Sequence, residues 1–191
     1  MTRDEAWQLL CEYCPTDSVR NHGLAVEASM RHYARRFGAD EEAWGLAGLL
    51  HDFDYERWPQ PPDHTRRGAA ILRERGVDEE IVGALLAHVP WNWDDVPLDR
   101  PIRKTLFAVD ELSGFIVACA LVRPTRLDGL TPKSVKKKLK SLSFAAAVSR
   151  EDIARGPELV DLPLDEHIQH CITALQGAAA ALGLQPPPAN S

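Results

Sequence analysis

The chain has 191 residues, 45% hydrophobic and 26% charged, enough for one globular domain with a sizeable core. Its net charge of -6 argues against a dedicated nucleic-acid binder. No apolar run approaches the length of a membrane span, and Met1-Thr2-Arg3-Asp4-Glu5 has no signal-peptide core, so a cytoplasmic protein without membrane contact is expected.

Thr2 to Glu5 forms a capping box that predicts a first helix to about Cys14, stopped by Pro15. Four cysteines do not make a disulfide framework in a chain of this size. Cys11 and Cys14 have CxxC spacing, but no second pair exists for zinc, and an acidic helix end is not a thioredoxin context. A second helix, capped within Thr16–Ser18, runs to Arg36 and ends at Gly38. His22 follows the apolar face that Ala25, Val26, Met30 and Tyr33 define.

Asp40 caps a third, apolar helix that ends directly in His51-Asp52. An imidazole beside a carboxylate at the end of a buried helix is costly to desolvate unless a cation lies between them. Trp58–Asp63 is a proline-broken loop that delivers His64 to the next helical run, which stops at Gly76. Asp78 caps the following helix, and His88 closes it as His51 closes the third.

Trp91–Pro97 is an aromatic, acidic loop of the kind that covers a site mouth, with Trp91 and Trp93 as shields or anchors. Pro101 opens a long apolar helix interrupted by Asp110, a carboxylate on a buried face that needs a partner. Thr131-Pro132 begins a short basic helix, and Ser149–Asp152 begins another. The last helix is predicted from Pro163 to Leu182, with His167 and His170 on one face turned to the surface or to a partner. His32 is turned off the face of His22 and is read as structural. With no period-2 strands the fold is all-α, a single helical domain over 1–183 and a disordered Pro-rich tail over 184–191.

Polar residues that end or interrupt apolar helices collect into one set: His22, His51, Asp52, His64, His88 and Asp110. Helical bundles build metal sites by projecting ligands inward from several helices. Imidazoles and carboxylates without thiolate suit Mn, Fe, Ni, Co or Zn, and Asp52 has the two oxygens needed to bridge two ions.

The order His…His-Asp…Asp on separate helices, with the Phe107–Leu112 segment around the last Asp, resembles the HD-domain superfamily of metal-dependent phosphohydrolases. That resemblance implies an HD-type helical bundle. In it His22, His51, Asp52 and Asp110 hold a divalent ion (Mn, Fe, Ni, Co, Zn or Mg), and His64 and His88 hold a second ion or contact phosphate. Relatives follow the doublet with Ile-Gly, or place a catalytic acid three residues after the Asp. Here Phe53-Asp54-Tyr55-Glu56 follows, so Asp54, then Glu56, are the local candidates for a general base beside Asp52.

The activity the resemblance implies is hydrolysis of a small phosphate ester, with a nucleotide as one candidate, by water that the metal makes acidic. Lys133, Lys136, Lys137 and Arg123, downstream of Asp110, are the candidate phosphate contacts. The competing readings are an HD-type di-iron oxygenase using the same six ligands and a non-catalytic module for a phosphorylated ligand. Several tryptophans on an all-α surface fit a homodimer. Imidazole ligands predict metal loss below roughly pH 6.

Overall fold

A computed structural model describes residues 1–187. Among them are nine α-helices, one 3-10 turn and no strand. The capping box forms as read: Thr2 Oγ1 accepts the Glu5 N–H at 3.3 Å and Glu5 accepts the Thr2 N–H at 2.7 Å, starting α1 (Arg3–Tyr13). Helix α2 (Asp17–Phe37) ends at Gly38, whose φ of 64° is the left-handed cap that glycine adopts without strain. Helix α3 (Glu41–Leu50) starts where the Asp40 carboxylate accepts the N–H groups of Glu42 and Ala43.

Helices α4 (Asp63–Glu74) and α5 (Glu79–Ala87) form the next hairpin, followed by the 3-10 turn Pro90–Asn92. The long α6 (Pro101–Leu121) crosses the molecule, and α7 (Pro132–Leu139), α8 (Arg150–Leu159) and α9 (Leu164–Gly177) complete the chain. Helix α2 packs against α3, α6 and α9, so it lies at the centre of the bundle. Its buried Ser29 shares a hydrogen bond of 2.8 Å with Ser113 of α6.

Two glycines set the distance between α2 and α3. A Cβ on Gly23 would lie 2.9 Å from the Leu49 carbonyl oxygen, and one on Gly48 would lie 2.9 Å from the Glu27 backbone. Only with glycine at both positions do the backbones approach closely enough to bring His22 and His51 together. Buried Glu27 braces the same hairpin by accepting from Arg3 at 2.8 Å and Arg31 at 3.0 Å.

The last helix is shorter than its sequence pattern implies. It ends at Gly177, a poor helix former, rather than at Leu182. Turns over 178–183 then fold Leu182 and Leu184 back into the core, so Leu184, read as the start of the tail, is buried instead. The remainder of that tail, 188–191, lies outside the described residues. No helix among the described residues is long and apolar enough to cross a membrane.

Candidate metal centre

All six donors gather at one place. His22 Nε2 lies 2.9 Å from Asp110 Oδ1 and 3.1 Å from His51 Nε2. His51 Nε2 is 3.4 Å from both Asp52 Oδ2 and Asp110 Oδ1, and His22 Nε2 is 4.0 Å from Asp52 Oδ2. The other oxygen of Asp52, Oδ1, faces a second group: His64 Nε2 at 3.3 Å and His88 Nε2 at 3.2 Å. Donors around one ion at bond lengths near 2.0–2.2 Å stand ~3–3.5 Å apart, which most of these separations match. Two donor groups therefore share Asp52, one of its oxygens in each.

The local chain explains the aim of each imidazole. His51 and His88 both sit at the C-cap of an apolar helix. Each donates its Nδ1–H to the carbonyl three residues earlier, Gly48 at 2.8 Å and Leu85 at 2.6 Å. His64 stands in a break of α4, where it and Thr65 leave helical geometry, and donates its Nδ1–H to Asp54 at 2.9 Å. In all three neutral rings the Nε2 lone pair then points at carboxylate oxygens, lone pair against lone pair. Only a second proton on each ring or a cation between the groups relieves that repulsion. This donor chemistry fits a divalent metal, with the outer hydrogen bonds fixing the tautomer of each ligand.

Without metal, protons on His51 and His64 take that place. Burial works against charge on His51, but Asp52 and Asp110 outweigh it and hold its pKa well above the ordinary histidine range. Burial likewise opposes charge on Asp52 and Asp110, and the facing imidazoles hold both carboxyls well below the usual carboxylate range. His64, against burial, is pushed up to about 9 by its hydrogen bonds to Asp52 and Asp54. Burial and the charge of Asp110 raise Glu111 to about 7.

A cleft of about 210 Å³ opens onto both donor groups, walled by Tyr55, the Val89–Trp91 turn and Phe107, with Glu111 and Asp152 on its α6 and α8 side. A larger groove of about 760 Å³, floored by Trp44 and Ile102, lies at the N-terminal ends of α3 and α5 and contains none of the histidines. The chemistry is in the smaller space.

Several sequence expectations need correction. Asp54 is not placed as a general base: it is fully buried, and its two oxygens accept from His64 Nδ1 and from the Gly68 N–H at 2.8 Å. Glu56 accepts from Thr16 and does not line the cleft. Lys133, Lys136, Lys137 and Arg123 do not line it either. Lys136 pairs with Asp165 at 2.7 Å, and Arg123, about three turns of helix beyond Asp110, ties down its own loop through the Asp128 carbonyl at 2.8 Å.

His167 is not a surface residue. It is fully buried, donating Nε2–H to the Ala108 carbonyl at 3.0 Å and accepting the Tyr33 hydroxyl at Nδ1 at 2.6 Å. Trp93 anchors its loop through the Ala87 carbonyl at 2.9 Å, whereas Trp91 stands half-exposed at the cleft mouth. The cleft residues that the sequence reading missed are Glu111 and Asp152. The adjacency of Glu111 to Asp110 was the available signal for the first; no spacing in the sequence marks the second.

Fold and site define an all-α protein whose helix ends bring histidine and aspartate donors to one shared carboxylate. The HD domain family model matches residues 19–112, which contain all six donors, and this match supports a place in the HD-domain superfamily. That superfamily is one of metal-dependent phosphohydrolases. No solved structure matches the chain significantly.

Proposed function

We propose that the protein is a metal-dependent phosphohydrolase that cleaves a small phosphate monoester at a two-ion centre. The observation that carries this reading is Asp52, whose two oxygens each face a separate group of imidazole donors. Divalent ions held there, from among Mn, Fe, Ni, Co, Zn and Mg, supply an acidified water and a polarised phosphoryl oxygen. His22, His51 and Asp110 complete the first group, and His64 and His88 the second. The fixed tautomers of His51, His64 and His88 orient those donors before any ligand arrives. Trp91, Tyr55 and Phe107 narrow the approach, so the ester enters with its phosphoryl end toward Asp52.

The same six donors, all nitrogen and oxygen, also support the di-iron oxygenase reading, and metal content with product analysis separates the two. The protein is reconstituted with each ion, analysed for metal per chain, and assayed for phosphate release and oxygen uptake. Two ions per chain with phosphate release from a monoester is the expected result. Oxygen consumption with no phosphate release by the two-iron protein would replace hydrolysis with oxidation.

A further inference from the structure

Resting on the hydrolase reading, we infer that the substrate is the phosphate monoester of a small amino alcohol, with Glu111 and Asp152 binding its ammonium end. The cleft lining contains no lysine or arginine among the described residues, although phosphate sites ordinarily recruit them. Arg155, one turn along α8 from Asp152, instead stacks on Trp93 at 4.7 Å and on Phe107 at 5.4 Å. Two divalent ions, set against Asp52, Asp110 and the Asp54 behind His64, leave no more positive charge than one phosphate dianion cancels. A second phosphate would have no counter-charge and would meet two further acids.

Those acids are the second half of the argument. Glu111 and Asp152 both line the cleft, and neither has an ion-pair partner among the described residues. One Glu111 oxygen accepts the Ser149 N–H at 3.2 Å, which fixes its side chain across from α8. Two carboxylates in one cleft without a cation are unfavourable until a ligand brings one. Tyr55 and Trp91, both partly exposed in the same cleft, add aromatic faces that attract an ammonium. The volume of about 210 Å³ is below the roughly 300–1,000 Å³ of sites that enclose drug-sized ligands, so a nucleotide would stand largely outside.

The step is hydrolytic and balanced. The oxygen of water forms a bond to phosphorus, the bond from phosphorus to the alkoxide oxygen breaks, and the alkoxide takes a proton from that water. The products are inorganic phosphate and the amino alcohol.

The test compares ethanolamine phosphate with propyl phosphate, its neutral isostere, and with a nucleoside 5′-monophosphate on the metal-loaded protein. The expected kcat/KM favours the amino ester over both by tenfold or more. Glu111→Gln and Asp152→Asn are each expected to pull that ratio toward one, chiefly through KM, in variants whose metal content matches the parent. Equal turnover of the amino and neutral esters, or preference for the nucleotide, would overturn the inference. If none of the esters is hydrolysed, the hydrolase reading fails, and calorimetric binding of the same esters then decides: tenfold tighter binding of the amino ester supports the ammonium subsite, and equal binding refutes it.

Discussion

Seven histidines divide into two clusters that teach opposite lessons about the same side chain. His22, His51, His64 and His88 converge on Asp52 and Asp110. His32, His167 and His170 converge on Tyr33, where among the described residues no carboxylate is hydrogen-bonded to any of the three rings: His32 and His170 are 2.9 Å apart, and His167 is bonded to Tyr33 and Ala108. In the first cluster, carboxylates outweigh burial and push His64 up to about 9. In the second, burial meets no opposing anion and brings His167 down to about 4. Burial and the nearby cations lower His32 and His170 as well. Histidines at hydrogen-bond distance are therefore not in themselves a metal site; the acids between them decide.

The strongest way to break this comparison is to remove the shared acid. Asp52→Ala should eliminate both ions and reduce turnover to background, because each donor group loses the oxygen it takes from the shared Asp52. Elemental analysis of the variant reads this directly, and one ion retained per chain would show that the groups are independent. His170→Ala, in the cluster without acids, should leave metal content unchanged.

Much of the first cluster was legible in the sequence because helix caps and apolar periodicity identify where a helix stops. Asp40, Asp78 and Pro101 mark the starts of α3, α5 and α6, and the polar residues that close or interrupt those helices are the donors. What periodicity cannot show is how a loop folds back. Asp54 lies two residues past a ligand and was read as a base, yet the turn after α3 carries it under His64 and Gly68. The lysines of α7 formed a conspicuous charge run, but a charge run records solvent exposure, and their helix packs on α9 and α6 away from the cleft. His167 was read as surface because its partners, Tyr33 and Ala108, are 134 and 59 residues away in the chain.

Acid titration sharpens the contrast between the clusters. His167 is neutral when folded and fully hydrogen-bonded in that state, with a folded pKa of about 4 against 6.5 when unfolded. A group with a depressed folded pKa contributes its stability above the unfolded value and loses it as pH falls through the folded value. Lowering the pH from 6.5 to 4 should thus remove on the order of 3 kcal/mol, at 1.36 kcal/mol per pKa unit. His64 has the opposite sign: in metal-free protein its contribution is complete below 6.5 and is lost as pH rises through about 9. Urea midpoints of the metal-free protein measured across this range should fall on both sides of neutrality. A midpoint flat between pH 6.5 and 4 would exclude the neutral, buried state of His167.

A smaller effect distinguishes support from chemistry inside the first cluster. In Asp54→Asn the side chain keeps its size but has one acceptor oxygen where the aspartate has two, so it cannot serve both the His64 Nδ1–H and the Gly68 N–H. It also loses the charge that strengthens His64 as a donor. Outer-sphere partners of this kind typically contribute about 10–100-fold to metal affinity. The expected result is weaker binding of the second ion by that factor, with the first ion, held through His22, His51 and Asp110, little changed. Competition titration with a chelating indicator resolves the two affinities, and excess metal should restore turnover because Asp54 acts through His64. A variant that binds both ions normally but stays inactive at saturating metal would instead return Asp54 to the base role that its place after the His-Asp doublet first implied.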